Sequence, residues 1–103
     1  MDKIKNNLDY LKILSDCTEP MHNSIITSAK KDLIYTLCEC VLNCMNGNIN
    51  LNETTKGKLC KHKHKLRHLL KKKSTLKEKK KILIQHGGSF LPLILSTILS
   101  AFN

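Results

Sequence analysis

The stretch KKKILIQHGGSFLPLILSTILSAF, residues 79–102, runs three lysines into a glycine pair and ends on an almost purely apolar tail. Lysine blocks seek phosphate or anionic surface, whereas apolar tails seek a core, a partner or a bilayer. Glycine adopts the left-handed end conformation most cheaply, so Gly87-Gly88 reads as a helix stop and flexible hinge between the two. Everything upstream and downstream is organised around that junction.

Moving back from the junction, Thr75 and Glu78 have the spacing of a capping box opening a helix that runs to about His86. Ser74-Thr75 separates it from an earlier helix, capped by Asn52 or Thr55, whose apolar positions are Leu59, Leu66, Leu69 and Leu70. The clearest periodicity lies further back. Over Lys30 to Met45, residues Leu33, Ile34, Leu37, Cys38, Val41, Cys44 and Met45 share one helical face, and Asn46-Gly47 ends it. Ile4, Leu8 and Leu11 open a first amphipathic helix that fades near Ser15, and Pro20 forbids its continuation. Pro20 to Ser28 form a short second helix with Met21, Ile25 and Ile26 on its apolar side. No strand-like alternation persists. The expected fold is all-α, a small bundle of about four to five short helices with a basic helical segment and an apolar C-terminal tail helix.

Composition divides the chain unevenly. At 103 residues it holds one small domain at most. The net charge is +10, but residues 1–52 carry five lysines against six acids, a net −1, while residues 53–103 carry twelve lysines and Arg67 against Glu53 and Glu78, a net +11. The expected organisation is a near-neutral helical module over 1–52, a lysine-rich helical segment over 53–86, and the Gly-Gly hinge with its tail over 87–103. Such asymmetry points to a polyanionic partner, nucleic acid or anionic membrane, engaged by one half. The polar N-terminal stretch predicts no signal peptide and no secretion. Five cysteines, an odd number, then read as free, mostly buried thiols rather than a disulfide framework.

The binding candidates are Lys56, Lys58, Lys61, Lys63, Lys65, Arg67, Lys71, Lys72, Lys73, Lys77, Lys79, Lys80 and Lys81, thirteen cations in 26 residues with Glu78 alone in opposition. Like charges at helical spacing destabilise an isolated helix, so a polyanion that neutralises them would stabilise the segment. One arginine and no aromatic residue between Lys56 and Lys81 leave little means of reading bases. Lysine suits phosphate and is indifferent to sequence. The expected mode is non-specific binding to the DNA backbone, with His62, His64, His68 and His86 adding charge as pH drops.

Cys38, Cys40, Cys44, Cys60, His62, His64 and His68 raise the question of zinc, but the helical register argues against it. His64 and His68 point away from the apolar face of their helix, whereas Cys44 lies in the core stripe of its own. Neither a CxxC pair nor finger spacing is present. Cys60 with His62 or His64 gives diverging side chains and no third orienting group. There is no phosphate-cradling glycine loop and no catalytic carboxylate pair. The sequence therefore predicts no enzyme, no metal and no cofactor.

The tail, with Phe90, Leu91, Leu93, Ile94, Leu95, Ile98, Leu99 and Phe102, has no charged side chain and a narrow polar stripe. Its uncharged stretch is too short to span a bilayer as a helix, but suits an interface or a partner groove. The alternative is a last helix closing the core.

The order of these features, a cationic segment, then Gly87-Gly88, then Phe-Leu-Pro-Leu-Ile-Leu, resembles the precursor of the adenoviral minor core protein mu (protein X) over residues 79–95. The layout LxKKKxxLKxKKKxLxxxGG with its apolar end is similar to small basic proteins of Polinton (Maverick) transposons and adintoviruses over residues 33–103. The resemblance implies a virus- or element-encoded structural protein that condenses DNA, located in the virion or host nucleus. It also implies a viral cysteine protease that cuts between Gly88 and Ser89, and capsid proteins as neighbours. Gln85 stands where adenoviral proteases favour Met, Ile or Leu, and lysine replaces the arginine of the adenoviral segment. Two further readings come from the residues themselves: a membrane-active peptide precursor, and a plain helical protein-interaction module, either of which could self-associate into a homo-oligomer.

Overall fold

A computed structural model describes residues 2–101, all in helices and short connections. The described residues form seven helices: α1 (Asp2–Asn6), α2 (Leu8–Ser15), α3 (Glu19–Ser28), α4 (Lys31–Met45), α5 (Glu53–Cys60), α6 (Lys63–Leu70) and α7 (Leu76–Ala101). The all-α fold is as the periodicity predicts. Seven helices are described where the sequence predicts about four to five, and of the two readings of the tail the fold takes the helix that closes the core.

Three local signals act as expected. Gly47 takes φ +74° just after α4, the left-handed turn that an L side chain would strain. Asn52 Oδ1 accepts from the Thr55 N–H at 2.8 Å and caps α5. Thr75 Oγ1 accepts from the Glu78 N–H at 3.1 Å at the start of α7. Two helices are shorter than expected. Asn7 breaks the first one because its side chain turns inward, with Nδ2 3.1 Å from Thr36 Oγ1, 3.0 Å from Asp32 Oδ2 and 2.8 Å from the Lys3 carbonyl. That amide ties the N-terminal helices to α4. The helix expected from Asn52 to Leu70 also divides, at Lys61-His62, into α5 and α6.

The larger correction concerns Gly87-Gly88, which neither stops a helix nor forms a hinge. α7 continues through both glycines and through Pro92, which lies in mid-helix. Two glycines cost about 1 kcal/mol each and a proline about 3 in a helix interior. Against this, Phe90, Leu91, Ile94, Leu95 and Ile98 are each fully buried, at roughly 1.5–3 kcal/mol apiece. Burial wins. Gly87 has a further role: a Cβ there would lie 3.1 Å from Cε1 and Nε2 of His22 and 3.3 Å from Leu91 Cδ1. Its bare backbone admits the His22 ring, whose Nε2–H donates to the Leu83 carbonyl at 3.0 Å.

α7 is thus the central helix, packed by α2, α3, α4, α5 and α6, and its C-terminal half supplies five fully buried side chains. One hydrophobic core takes side chains from Ile4 to Ile98 and crosses all three segments into which composition divides the chain. Met21 and Met45, placed on apolar faces by spacing, are exposed instead, and Asn7, His22, Thr36, Ser74 and Lys79 are the buried polar residues among those described.

Candidate polyanion-binding surface

α5, α6, the turn after α6 and the N-terminal half of α7 carry the cations. α6 and α7 form an antiparallel pair, with Lys65 opposite His86 and His68 opposite Glu78. Leu66 and Leu69 on α6 face inward, and Leu59 does the same on α5. Lysines at the remaining positions are therefore turned out. Lys56, Lys58, Lys61, Lys63, Lys65, Arg67, Lys71, Lys72, Lys73, Lys77 and Lys81 are exposed, and Lys80 is half-buried.

Lys79 departs from the expected set. It is only 4% exposed, and its ammonium donates to the carbonyls of Leu69 and Lys71. Those carbonyls are at the C-terminal end of α6, where a cation also complements the helix dipole. Lys79 is a structural clamp between α6 and α7 and does not face a phosphate. Lys80 reaches back to the Thr27 carbonyl of α3 at 3.1 Å.

Among the described residues few of these charges are met by a carboxylate. Lys56 lies 4.0 Å from Glu53 and His68 3.8 Å from Glu78, both in exposed settings where such pairs contribute little. The cations form a broad belt rather than a single row. Lys71 and Lys72 border a cleft with Lys3 and Tyr35, whereas Lys56 and Lys63 border another beside Met45 and Gly47. Lys3 and Lys31 also approach the Tyr35 ring, at 5.7 and 5.6 Å from its centroid, so two lysines of the near-neutral half stand beside the belt.

At the α6–α7 seam the Lys65 ammonium donates to His86 Nδ1 at 3.0 Å. His62, at the start of α6, stacks obliquely on Phe90 with centroids 5.9 Å apart. Partial burial, and after it the charges of Lys65 and His62, hold His86 below its ordinary value of 6.5. This grouping could have been found from spacing, since 62 and 65 share a face of one helix and 86 and 90 a face of the next.

Three of the thiols lie beneath this surface and one lies on it. Cys38, Cys40 and Cys44 are buried and Cys60 is exposed. Burial pushes Cys40 up to about 12, helped by Cys44, Glu39 and Cys38, and pushes Cys44 up to about 11. Among the described residues no three or more His, Cys, Asp or Glu side chains are grouped so as to hold a metal ion.

The residues expected as a membrane or partner tail are core. Phe90, Leu91, Ile94, Leu95 and Ile98 are fully buried, and Leu93 and Leu99 pack against them, while Phe102 lies outside the described residues. By length and composition α7 is apolar enough to cross a membrane, but in this fold its apolar face is covered by protein. Gly87, Gly88 and Ser89, the expected cleavage site, lie inside the same helix. A protease that takes its substrate extended would need α7 opened first. No protein-family model, no curated protein and no solved structure matches the chain.

Proposed function

We propose that this chain binds nucleic acid without sequence preference and condenses it, as a virus- or transposon-encoded structural protein would. The observation that carries the reading is the belt of eleven exposed cations on α5, α6, the following turn and α7, in a half of the chain with only two acids. Like charges held this densely on a folded surface are stabilised by an external polyanion. The belt curves over several elements, so one duplex meets only some of it at a time. That leaves cations free for a second duplex, which is the requirement for condensation. Capsid protein and a viral cysteine protease remain partners in this proposal. Cleavage after Gly88 belongs to a stage before α7 packs, or to an opened bundle.

The test is a gel-shift or anisotropy series with duplexes of unrelated sequence. With about six phosphates engaged, the log–log salt slope is about −5, and affinity falls roughly 10³-fold between 50 and 200 mM salt. Absence of binding at about 50 mM salt, or binding indifferent to salt, overturns the reading.

A second reading, a helical protein-interaction module, is favoured by the groove between α2, α3 and the start of α4. Tyr10 and Met21, 53% and 48% exposed, line it together with Ile25 and Leu33. A partner-capture assay in which Met21→Asp abolishes retention, while the basic surface is left intact, supports that reading. Retention unchanged by Met21→Asp removes it.

A further inference from the structure

We propose that the notch between His62, Lys65 and His86 is a proton-coupled phosphate site, where a nucleic-acid phosphate replaces His86 as the acceptor of the Lys65 ammonium and His86 takes up a proton. The inference rests on the polyanion reading and adds regulation by pH to it.

The geometry begins with the 3.0 Å bond between Lys65 Nζ and His86 Nδ1. An ammonium can only donate, so Nδ1 must hold a lone pair and the ring is neutral in this arrangement. The proton of the neutral ring then sits on Nε2. After burial, the neighbours that oppose a proton on His86 are Lys65 and His62. The acids of this half are placed elsewhere, Glu53 beside Lys56 and Glu78 beside His68. On the other side of this stretch of α7, His22 packs against Gly87 and is bonded to the Leu83 carbonyl. The seam therefore holds the Lys65 ammonium against a neutral His86 imidazole.

A phosphate oxygen entering the notch accepts from the Lys65 ammonium, and the Lys65–His86 hydrogen bond breaks. The freed Nδ1 takes a proton from solvent, keeps it, and the resulting N–H donates a hydrogen bond to a second phosphate oxygen. No covalent bond between heavy atoms changes, and one proton passes from water to His86 for each phosphate seated. Phe90 anchors His62 beside the notch, so its neighbour is fixed before the anion arrives. Because the bound state holds one proton more than the free state, affinity rises as pH falls through the histidine range.

The experiment is anisotropy with a short labelled DNA duplex and the full chain at constant ionic strength, from about pH 8 to about pH 5.5. The wild-type profile should exceed that of His86→Gln by about one proton, up to about tenfold in affinity per pH unit at its steepest. Superimposable pH slopes for wild type and His86→Gln overturn the proposal while leaving DNA binding intact. If no duplex binds at any pH, the polyanion reading fails separately. Inorganic phosphate titrated against the His86 ring by NMR then decides: movement toward the protonated form keeps the phosphate site, and an unmoved ring removes it. A His86-dependent rise seen with phosphatidylglycerol vesicles and not with duplex overturns the nucleic-acid assignment.

Discussion

Residues 76–86 and 89–101 belong to one helix and meet opposite surroundings. Along 76–86, Lys77 and Lys81 stand in solvent, and only Lys79 and Leu83 are fully turned inward. Along 89–101, Phe90, Leu91, Ile94, Leu95 and Ile98 are fully buried in the common core. The difference is set by neighbours and not by propensity. Where α6 and α3 flank α7, a narrow buried stripe suffices and charge fills the rest; along 89–101 the buried face is wider, and the exposed positions are Ser89, Ser96, Ser100 and Ala101 rather than lysines. The glycines sit at the change from one regime to the other, and Gly87 is the place where a ring from α3 comes closest.

The strongest way to break this contrast is to damage the covered stretch. Phe90→Ala should lose about 3–5 kcal/mol, and deletion of residues 89–103 should unfold α2 to α4 as well, both read by circular dichroism with urea. A deletion that leaves the N-terminal helices folded would show that the tail is an appendage. Next is the pair Lys79→Met and Lys81→Gln. The first strips the donor from two carbonyls and should cost about 1–3 kcal/mol, with little change in DNA affinity. The second should leave stability within about 0.5 kcal/mol and lower the salt slope by about 0.9. Equal effects would erase the distinction between clamp and surface.

A finer division lies within the glycine pair. At Gly88 a Cβ meets nothing within 4 Å, so Gly88→Ala should stabilise by about 0.5–1 kcal/mol. Gly87→Ala gains the same propensity but presses on His22 and Leu91, and should come out destabilised by about 1 kcal/mol or more. Two equivalent substitutions would mean a hinge after all. The smallest effect concerns the thiols. Cys40 and Cys44 should resist alkylation near pH 8 until denaturant is added, whereas Cys60 reacts. Their folded values of about 12 and about 11 lie above the ordinary 9.0. The unfolded chain therefore binds fewer protons from about pH 9 upward, and stability falls as pH rises through that window.

α4, its Gly47 stop and the Asn52 and Thr75 caps were legible because each signal is local and acts on the backbone beside it. Gly87-Gly88 was misread for the same reason. Glycine ends a helix when nothing beyond it needs the helix to continue, and here five buried side chains do. The signal that could have shown this was present: Leu76, Lys79, Leu83, Gly87, Phe90, Ile94 and Ile98 follow one stripe at spacings of three and four, unbroken across the pair. That stripe also marks Lys79, which residue type alone cannot separate from Lys77, Lys80 and Lys81. His22 was hidden because its place in the core depends on a carbonyl 61 positions away. The basic surface was legible as charge, but its division between two clefts depends on how the helices pack, which composition does not carry.

Lys79 has one more consequence. Amine-reactive reagents will meet an accessible crowd of lysines on this protein and one that is sealed beneath it, so the adduct pattern by mass spectrometry carries its own internal clock. Labelling at residue 79 should lag every other site until the bundle opens. A single peptide then reports how often the whole molecule breathes.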